Sequence, residues 1–128
     1  MAIATASTKL TTVGHFINGK NVHRDGGTID IFNPAKGEVS KHLEIASKAT
    51  VNEAIIAAQK AFPAWRDLPV IKRARIMFRF KELLEQNKDK ICQLIGEEHG
   101  KIPHDAMGEL QRGIENVEYA CTAPEVLK

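Results

Sequence analysis

Gly108-Glu109-Leu110-Gln111-Arg112-Gly113-Ile114-Glu115-Asn116-Val117-Glu118-Tyr119-Ala120 is the stretch from which the rest of the chain is read. It has the pattern of a helix with two unlike faces. Leu110, Ile114, Val117 and Cys121 recur at steps of four, three and four residues and make one apolar stripe. Arg112 falls about 200° round the helix from Leu110, and Ile114 the same angle on, so the arginine points away from the stripe. Gly108 and Gly113 flank it, and each costs roughly 1 kcal/mol against alanine in a helix interior. Two such glycines beside one arginine predict that something comes close to the backbone there. The competing reading is a surface arginine pairing with Glu109 and Glu115 at helical spacing, which contributes a few tenths of a kcal/mol. On spacing alone the surface reading is the commoner of the two.

Upstream of this helix the boundary signals are strong. Pro103 suits a first helical turn, and Gly100 suits the end of the helix before it, with His99 or Lys101 placed to meet the free carbonyls. That preceding helix runs from about residue 71 to residue 99. Met77, Phe80, Leu84, Ile91 and Ile95 make its apolar face, and Asn87-Lys88 predicts a kink or break mid-way. A further helix starts at Thr50-Val51-Asn52-Glu53, which has capping-box spacing. Val51, Ala54, Ile55, Ala58 and Phe62 form its apolar side, and Pro63 is expected to end it.

The first third of the chain reads as strands. His15-Phe16-Ile17 and Lys20-Asn21-Val22 flank Asn18-Gly19, a favoured pair for a tight hairpin turn. Residues 28–32 and 39–45 alternate polar and apolar around the turn Asn33-Pro34-Ala35-Lys36-Gly37. In the second of these strands Val39, Lys41, Leu43 and Ile45 share one face, while Ser40, His42 and Glu44 take the other, which is expected to face solvent. The expected architecture is α/β: two hairpin-like strand pairs followed by three helices that cover them.

Composition narrows the function classes. At 128 residues the chain has the length of one small domain. A net charge of +2 gives no strong field for nucleic acid or membrane, and neither is expected as a partner. Cys92 and Cys121 are too few for a disulfide framework and suggest a reducing compartment. No apolar run approaches the ~18 residues of a membrane span. Residues 1–13, rich in Ala, Ser and Thr, lack the marks of a signal peptide and are expected to form a flexible tail.

Little of the remaining chemistry survives scrutiny. Lys72, Arg73, Arg75, Arg79 and Lys81 form the densest basic patch, but apolar residues interrupt it and no aromatic residues share its polar side, so a solvated helix face is expected. Cys92 and Cys121 have no neighbouring base and read as buried thiols. His99 and His104 do not have the spacing of a helical metal pair, and no metal site is expected. There is no glycine-rich phosphate loop and no Cys-x-x-Cys. By spacing alone the chain carries no complete active site.

The order of motifs nevertheless resembles a known family. Phe16-Ile17-Asn18-Gly19-Lys20, then Asn33-Pro34-Ala35 with Gly37-Glu38-Val39, is similar to the opening of an aldehyde dehydrogenase. Ala61-Phe62-Pro63-Ala64-Trp65, Arg73-Ala74-Arg75-Ile76 and Glu97-Glu98-His99-Gly100-Lys101 continue in that family's order and spacing. Within it, Phe78-Arg79-Phe80 together with Gly108-Glu109-Leu110-Gln111-Arg112-Gly113-Ile114-Glu115 resembles the CoA-acylating methylmalonate-semialdehyde dehydrogenases. The resemblance covers residues 13–128.

What the resemblance implies goes beyond what the residues state. Residues 14–128 would be the N-terminal segment of the aldehyde dehydrogenase fold, an incomplete cofactor-binding domain, and the chain alone would be inactive. The parent enzyme would oxidise methylmalonate or malonate semialdehyde in valine or inositol breakdown. A cysteine thiolate attacks the aldehyde, hydride passes to NAD, the thioester loses carbon dioxide, and coenzyme A takes the acyl group as propionyl-CoA or acetyl-CoA. Arg112 would bind the substrate carboxylate. No catalytic, cofactor-binding or metal-binding residue of the family maps onto this chain, and Cys92 and Cys121 do not match the nucleophile's motif. The parent is expected to be a cytoplasmic homo-oligomer, a tetramer by family, or a mitochondrial matrix protein if eukaryotic. The alternatives are part of another aldehyde dehydrogenase, or a non-catalytic interaction module derived from that fold.

Overall fold

The computed structural model describes residues 10–24 and 26–127. By internal packing the chain divides into two units, Met1–Ala58 and Gln59–Lys128. Helix α1 (Lys48–Arg66) starts in the first and ends in the second. The secondary structure is mixed α/β, as the sequence predicts.

The first unit holds five strands. β1 (Thr11–Val13), β5 (Glu38–Glu44) and β4 (Thr28–Asn33) form one sheet in the order β1-β5-β4, and β2 (His15–Ile17) pairs with β3 (Lys20–Val22) in a separate ribbon. The ribbon is the expected hairpin: Asn18 and Gly19 both take positive φ, 52° and 74°, which matches the right-handed twist of the strands they join. β1 corrects the expected tail over residues 1–13. Thr11, Thr12 and Val13 pair in parallel with Lys41, His42 and Leu43. Two threonines and a valine are β-branched and stiff, and the open edge of β5 offers them a partner. Residues 1–9 lie outside the described residues.

The β4–β5 pair contains a bulge that changes which residues are buried. Ile31 faces Lys41 and Phe32 faces Val39, so Ser40 is the extra residue, and its hydroxyl donates to the Ile31 carbonyl at 3.0 Å. Simple alternation across all of β5 therefore fails. Leu43 and Ile45 are exposed at 36% and 44%, whereas Glu44, expected on the solvent side, is 7% exposed. Glu44 is buried because it is used: its carboxylate accepts the Arg24 backbone N–H, and His23 Nδ1 lies 3.3 Å from its other oxygen. His42 sits opposite Asp30 and meets its carboxylate at 2.9 Å.

α1 also departs from expectation at both ends. Its cap is Ser47, whose hydroxyl accepts the Thr50 N–H at 3.2 Å and bonds the Thr50 hydroxyl at 3.0 Å. Thr50 is thus inside the first turn and buried. Glu53 does not reach back to close a box; it accepts from the Arg24 guanidinium, Nη2 at 2.8 Å on one oxygen and Nε at 3.3 Å on the other. Pro63 does not end the helix, which continues to Arg66. Proline removes only its own donor, and the orphaned Gln59 carbonyl belongs to an exposed residue that solvent can serve. The Pro63 carbonyl still accepts from Asp67 N–H at 3.0 Å.

The second unit is helical: α2 (Val70–Gln86), α3 (Lys88–His99), α4 (Pro103–Cys121) and the short α5 (Ala123–Val126). The predicted break at Asn87-Lys88 separates α2 from α3. Asn87 takes φ −106° and ψ 12°, and its side-chain amide donates to the Leu83 carbonyl at 2.8 Å. α4 packs against both α2 and α3. Its buried residues are Ala106, Leu110, Ile114 and Cys121; of the predicted stripe Val117 is only half-buried, and Ala106 adds one turn towards the N-terminus. Cys92, Ala106, Leu110 and Ile114 form the core cluster, with Leu84, Ile91 and Ile95 packed on it. Burying the Leu110 and Ile114 side chains contributes about 1.5–3 kcal/mol each. Phe80, expected in this core, is 45% exposed, and the buried residue of α2 is the small Ala74, at 3%. Cys92 and Cys121 are free, buried thiols, as expected.

In the basic patch on α2, acids among the described residues answer two of the five cations. Arg79 pairs with Glu82 at 2.7 Å, and Lys81 reaches both Glu85 at 3.2 Å and Glu118 of α4 at 3.0 Å. Those hydrogen bonds, Glu118 first, raise the Lys81 pKa. No helix among the described residues is long and apolar enough to cross a membrane.

Candidate functional site

The site around Arg112 is made by the way α3 hands over to α4. Gly100 ends α3 in the left-handed region at φ 71°, its N–H donating to the Gly96 carbonyl at 2.9 Å. Three residues later Pro103 occupies the first turn of α4, where a missing N–H costs nothing. This short connection brings Lys101 alongside α4, and its ammonium bonds the Glu109 carboxylate. The sequence suggests that Lys101 meets the free carbonyls of α3; the structure gives it a carboxylate partner on the next helix.

Arg112 itself is exposed, one turn beyond Glu109, on the face opposite buried Leu110 and Ile114. With Lys101, His104, Asp105 and Gly108 it lines a concavity of about 380 Å³. The surface reading of Arg112 required pairs with Glu109 and Glu115, and neither forms. Glu109 is held by Lys101, and Glu115 accepts the Gln111 side-chain amide at 3.3 Å. Among the described residues the Arg112 guanidinium enters no ion pair, although its carbonyl accepts from Asn116 Nδ2 at 2.8 Å. Gly108 and Gly113 both have open space where a Cβ would stand. The close approach that the glycines predict is not made by any of the described residues.

The electrostatics favour an incoming anion. The hydrogen bond from Lys101 lowers the Glu109 pKa, burial opposes it, and the charges of Lys101, His99 and Arg112 add to the lowering. Glu109 therefore stays ionised and neutralises Lys101, while Arg112 shares the concavity with Asp105 and forms an ion pair with no carboxylate among the described residues. A planar guanidinium with five donors suits a carboxylate or phosphate. His104 and Asp105, which the sequence did not single out as neighbours of Arg112, are brought there by the first turn of α4. Proline at the start of the helix was the available signal, since it fixes residues 104, 105, 108 and 112 in helical phase.

The other candidates assemble nothing comparable. His99 ends α3, and no group of three His, Cys, Asp or Glu side chains among the described residues could hold a metal ion. A second concavity, of about 480 Å³, lies in the first unit between Phe16, Ile17, Val51, Ala54 and Ile55 and is almost wholly apolar. It has no arrangement of polar groups for chemistry.

The model of the aldehyde dehydrogenase family matches residues 22–128. A malonate-semialdehyde dehydrogenase of Pseudomonas aeruginosa is 56% identical over 117 residues, covering 91% of this chain and 24% of its own length. The crystal structure of a methylmalonate-semialdehyde dehydrogenase from Oceanimonas doudoroffii superposes with a TM-score of 0.91 at 67% identity, over 93% of this chain and 24% of that one. A Sinorhizobium meliloti protein assigned to the same activity and solved with NAD gives a TM-score of 0.91 at 36% identity, over 95% of this chain and 25% of that one. The chain thus spans about a quarter of the length of these relatives. Sequence and backbone agree along nearly the whole of that quarter, and the chain belongs to the aldehyde dehydrogenase family.

Proposed function

We propose that this chain is the N-terminal part of an NAD-dependent, CoA-acylating methylmalonate- or malonate-semialdehyde dehydrogenase, and that Arg112 binds the substrate carboxylate. The observation that carries the reading is the Arg112 fork. It faces a concavity beside two glycines with open space above them, and both nearby glutamates are engaged elsewhere. A semialdehyde of this class carries a carboxylate next to the reacting aldehyde. Taking that carboxylate out of water requires a paired, hydrogen-bonding cation. The names of the Pseudomonas and Oceanimonas relatives support the substrate class, and the Sinorhizobium structure supports NAD.

When bound, NAD supplies the hydride acceptor and coenzyme A the acyl acceptor. The described residues contain no glycine-rich phosphate cradle for either group. The products would be propionyl-CoA or acetyl-CoA, the enzyme would serve valine or inositol breakdown, and it would work in the cytoplasm as a homo-oligomer. The test is NADH formation by the full-length enzyme with methylmalonate semialdehyde, propanal and betaine aldehyde, each with and without CoA. The expected result is preference for the semialdehyde and a CoA ester as product. Equal or better turnover of cationic betaine aldehyde, or a free acid as the sole product, would overturn the assignment.

A further inference from the structure

α4 carries four carboxylates, Asp105, Glu109, Glu115 and Glu118, and a single arginine. Glu109 stands three residues before Arg112, the acid N-terminal to the base, which is the favourable order for a helical ion pair. Glu115 stands three residues after it. A helix of this sequence on its own would satisfy Arg112 internally, and an arginine so paired would be a poor receptor for any other carboxylate.

The surroundings prevent this. From outside the helix Lys101 takes Glu109 and Lys81 of α2 holds Glu118 at 3.0 Å; within it the Gln111 amide donates to Glu115 at 3.3 Å. Asp105 lies two turns back, about 10.5 Å along the helix axis, and lines the same concavity without forming an ion pair with Arg112. The charged groups that act on Glu109 are Lys101, His99 and Arg112, so Glu109 lies within the field of both rival cations, and it bonds Lys101. Lys101 can compete because Gly100 and Pro103 set the short turn that places it there.

We infer that Lys101 is a positioning residue for Arg112: by capturing Glu109 it keeps the arginine fork open for the carboxylate of an incoming substrate. This rests on the reading of Arg112 as the carboxylate-binding group. The role is electrostatic competition, so it has a size. An exposed pair between Glu109 and Arg112, at the strength usual for such pairs, would divide the population of open forks by about two to six.

The experiment uses four variants of the full-length enzyme: Lys101→Met, Lys101→Arg, the double variant Lys101→Met with Glu109→Gln, and Arg112→Leu. The readout is the ratio of kcat/KM for methylmalonate semialdehyde to that for propanal, which is the same aldehyde without its carboxylate. Lys101→Met should lower the ratio about two- to sixfold, through KM and not kcat. The added Glu109→Gln should restore it, because the freed competitor no longer carries a charge. Lys101→Arg should hold it near the wild-type value. A merely structural Lys101 would lower both rates together and would not be rescued by the second substitution. If Lys101→Met leaves the ratio unchanged, or the double variant stays as low as the single, the inference is overturned. If Arg112→Leu also leaves the ratio unchanged, it is the reading of Arg112 that fails.

Discussion

Replacing Arg112 with leucine gives the sharpest test of the site. Arg112 is exposed and its helix is anchored from the opposite face by Ala106, Leu110, Ile114 and Cys121, so the substitution removes a charge without opening the core. Surface changes of this kind usually alter stability by less than about 0.5 kcal/mol, and circular dichroism melts should confirm that. The functional cost depends on what the fork holds. Two unit charges 4 Å apart at an effective dielectric of 20 attract by about 4 kcal/mol, whereas an open surface pair nets only about 0–1 kcal/mol. A carboxylate enclosed beside a nucleophile belongs to the first regime. Arg112→Leu should therefore reduce kcat/KM for methylmalonate semialdehyde by at least roughly a hundredfold, about 2.7 kcal/mol. Propanal should lose far less. Arg112→Lys should fall between, because a point charge replaces a two-pronged donor. Stopped-flow or steady-state NADH formation with both aldehydes separates the outcomes. Equal losses on both would mean that Arg112 supports the helix and not the substrate, and the reasoning would fail.

The remaining predictions concern stability. Glu109 has its pKa lowered in the folded state by Lys101, so its contribution is fully present above the unfolded value of about 4.3 and is lost as pH falls through the folded one. Melts between pH 7 and pH 3 should therefore show a steeper loss for the wild type than for Glu109→Gln; parallel curves would sink the idea. Glu44→Ala should destabilise the first unit by about 1–3 kcal/mol in urea titrations, since it strands the Arg24 N–H that the buried carboxylate accepts. Gly26→Ala should be worse tolerated than any helical glycine change, because the new Cβ would stand 1.8 Å from the Ile45 carbonyl oxygen. Gly113→Ala, with open space around it in α4, should instead stabilise the isolated chain by roughly 1 kcal/mol.

Much of the fold was legible because it depends on local rules. The Asn18-Gly19 hairpin, the break at Asn87, the Gly100 cap and the Pro103 start are each fixed by the backbone preferences of one or two residues. The apolar stripe of α4 was legible because a period of 3.6 has few rival explanations. The misreadings share a cause of another kind. Thr50 and Glu53 have the spacing of a cap, but Ser47 is also a good cap, and Arg24 from a distant loop claims Glu53. Ser40 shifts the β5 alternation because a bulge is decided by pairing with β4, which no single strand announces. β1 was invisible for the same reason: Thr11–Val13 becomes a strand only when β5 offers an edge.

The site shows the same division between local and non-local information. The helical phase of Arg112 follows from its own sequence, and so does its rivalry with Glu109 and Glu115. Which rival wins does not, because the answer lies with Lys101, eight residues before Glu109 and on the far side of a helix start. An exposed helical pair is weak enough, at a few tenths of a kcal/mol, that one well-placed ammonium decides it. The sequence prior for a self-satisfied surface arginine was therefore sound as a prior and wrong for this helix. A glutamate three residues before an arginine is informative about function only when the lysine that could remove it has been located. In this chain a left-handed glycine and a first-turn proline bring that lysine within reach, so the turn between α3 and α4 controls the availability of Arg112.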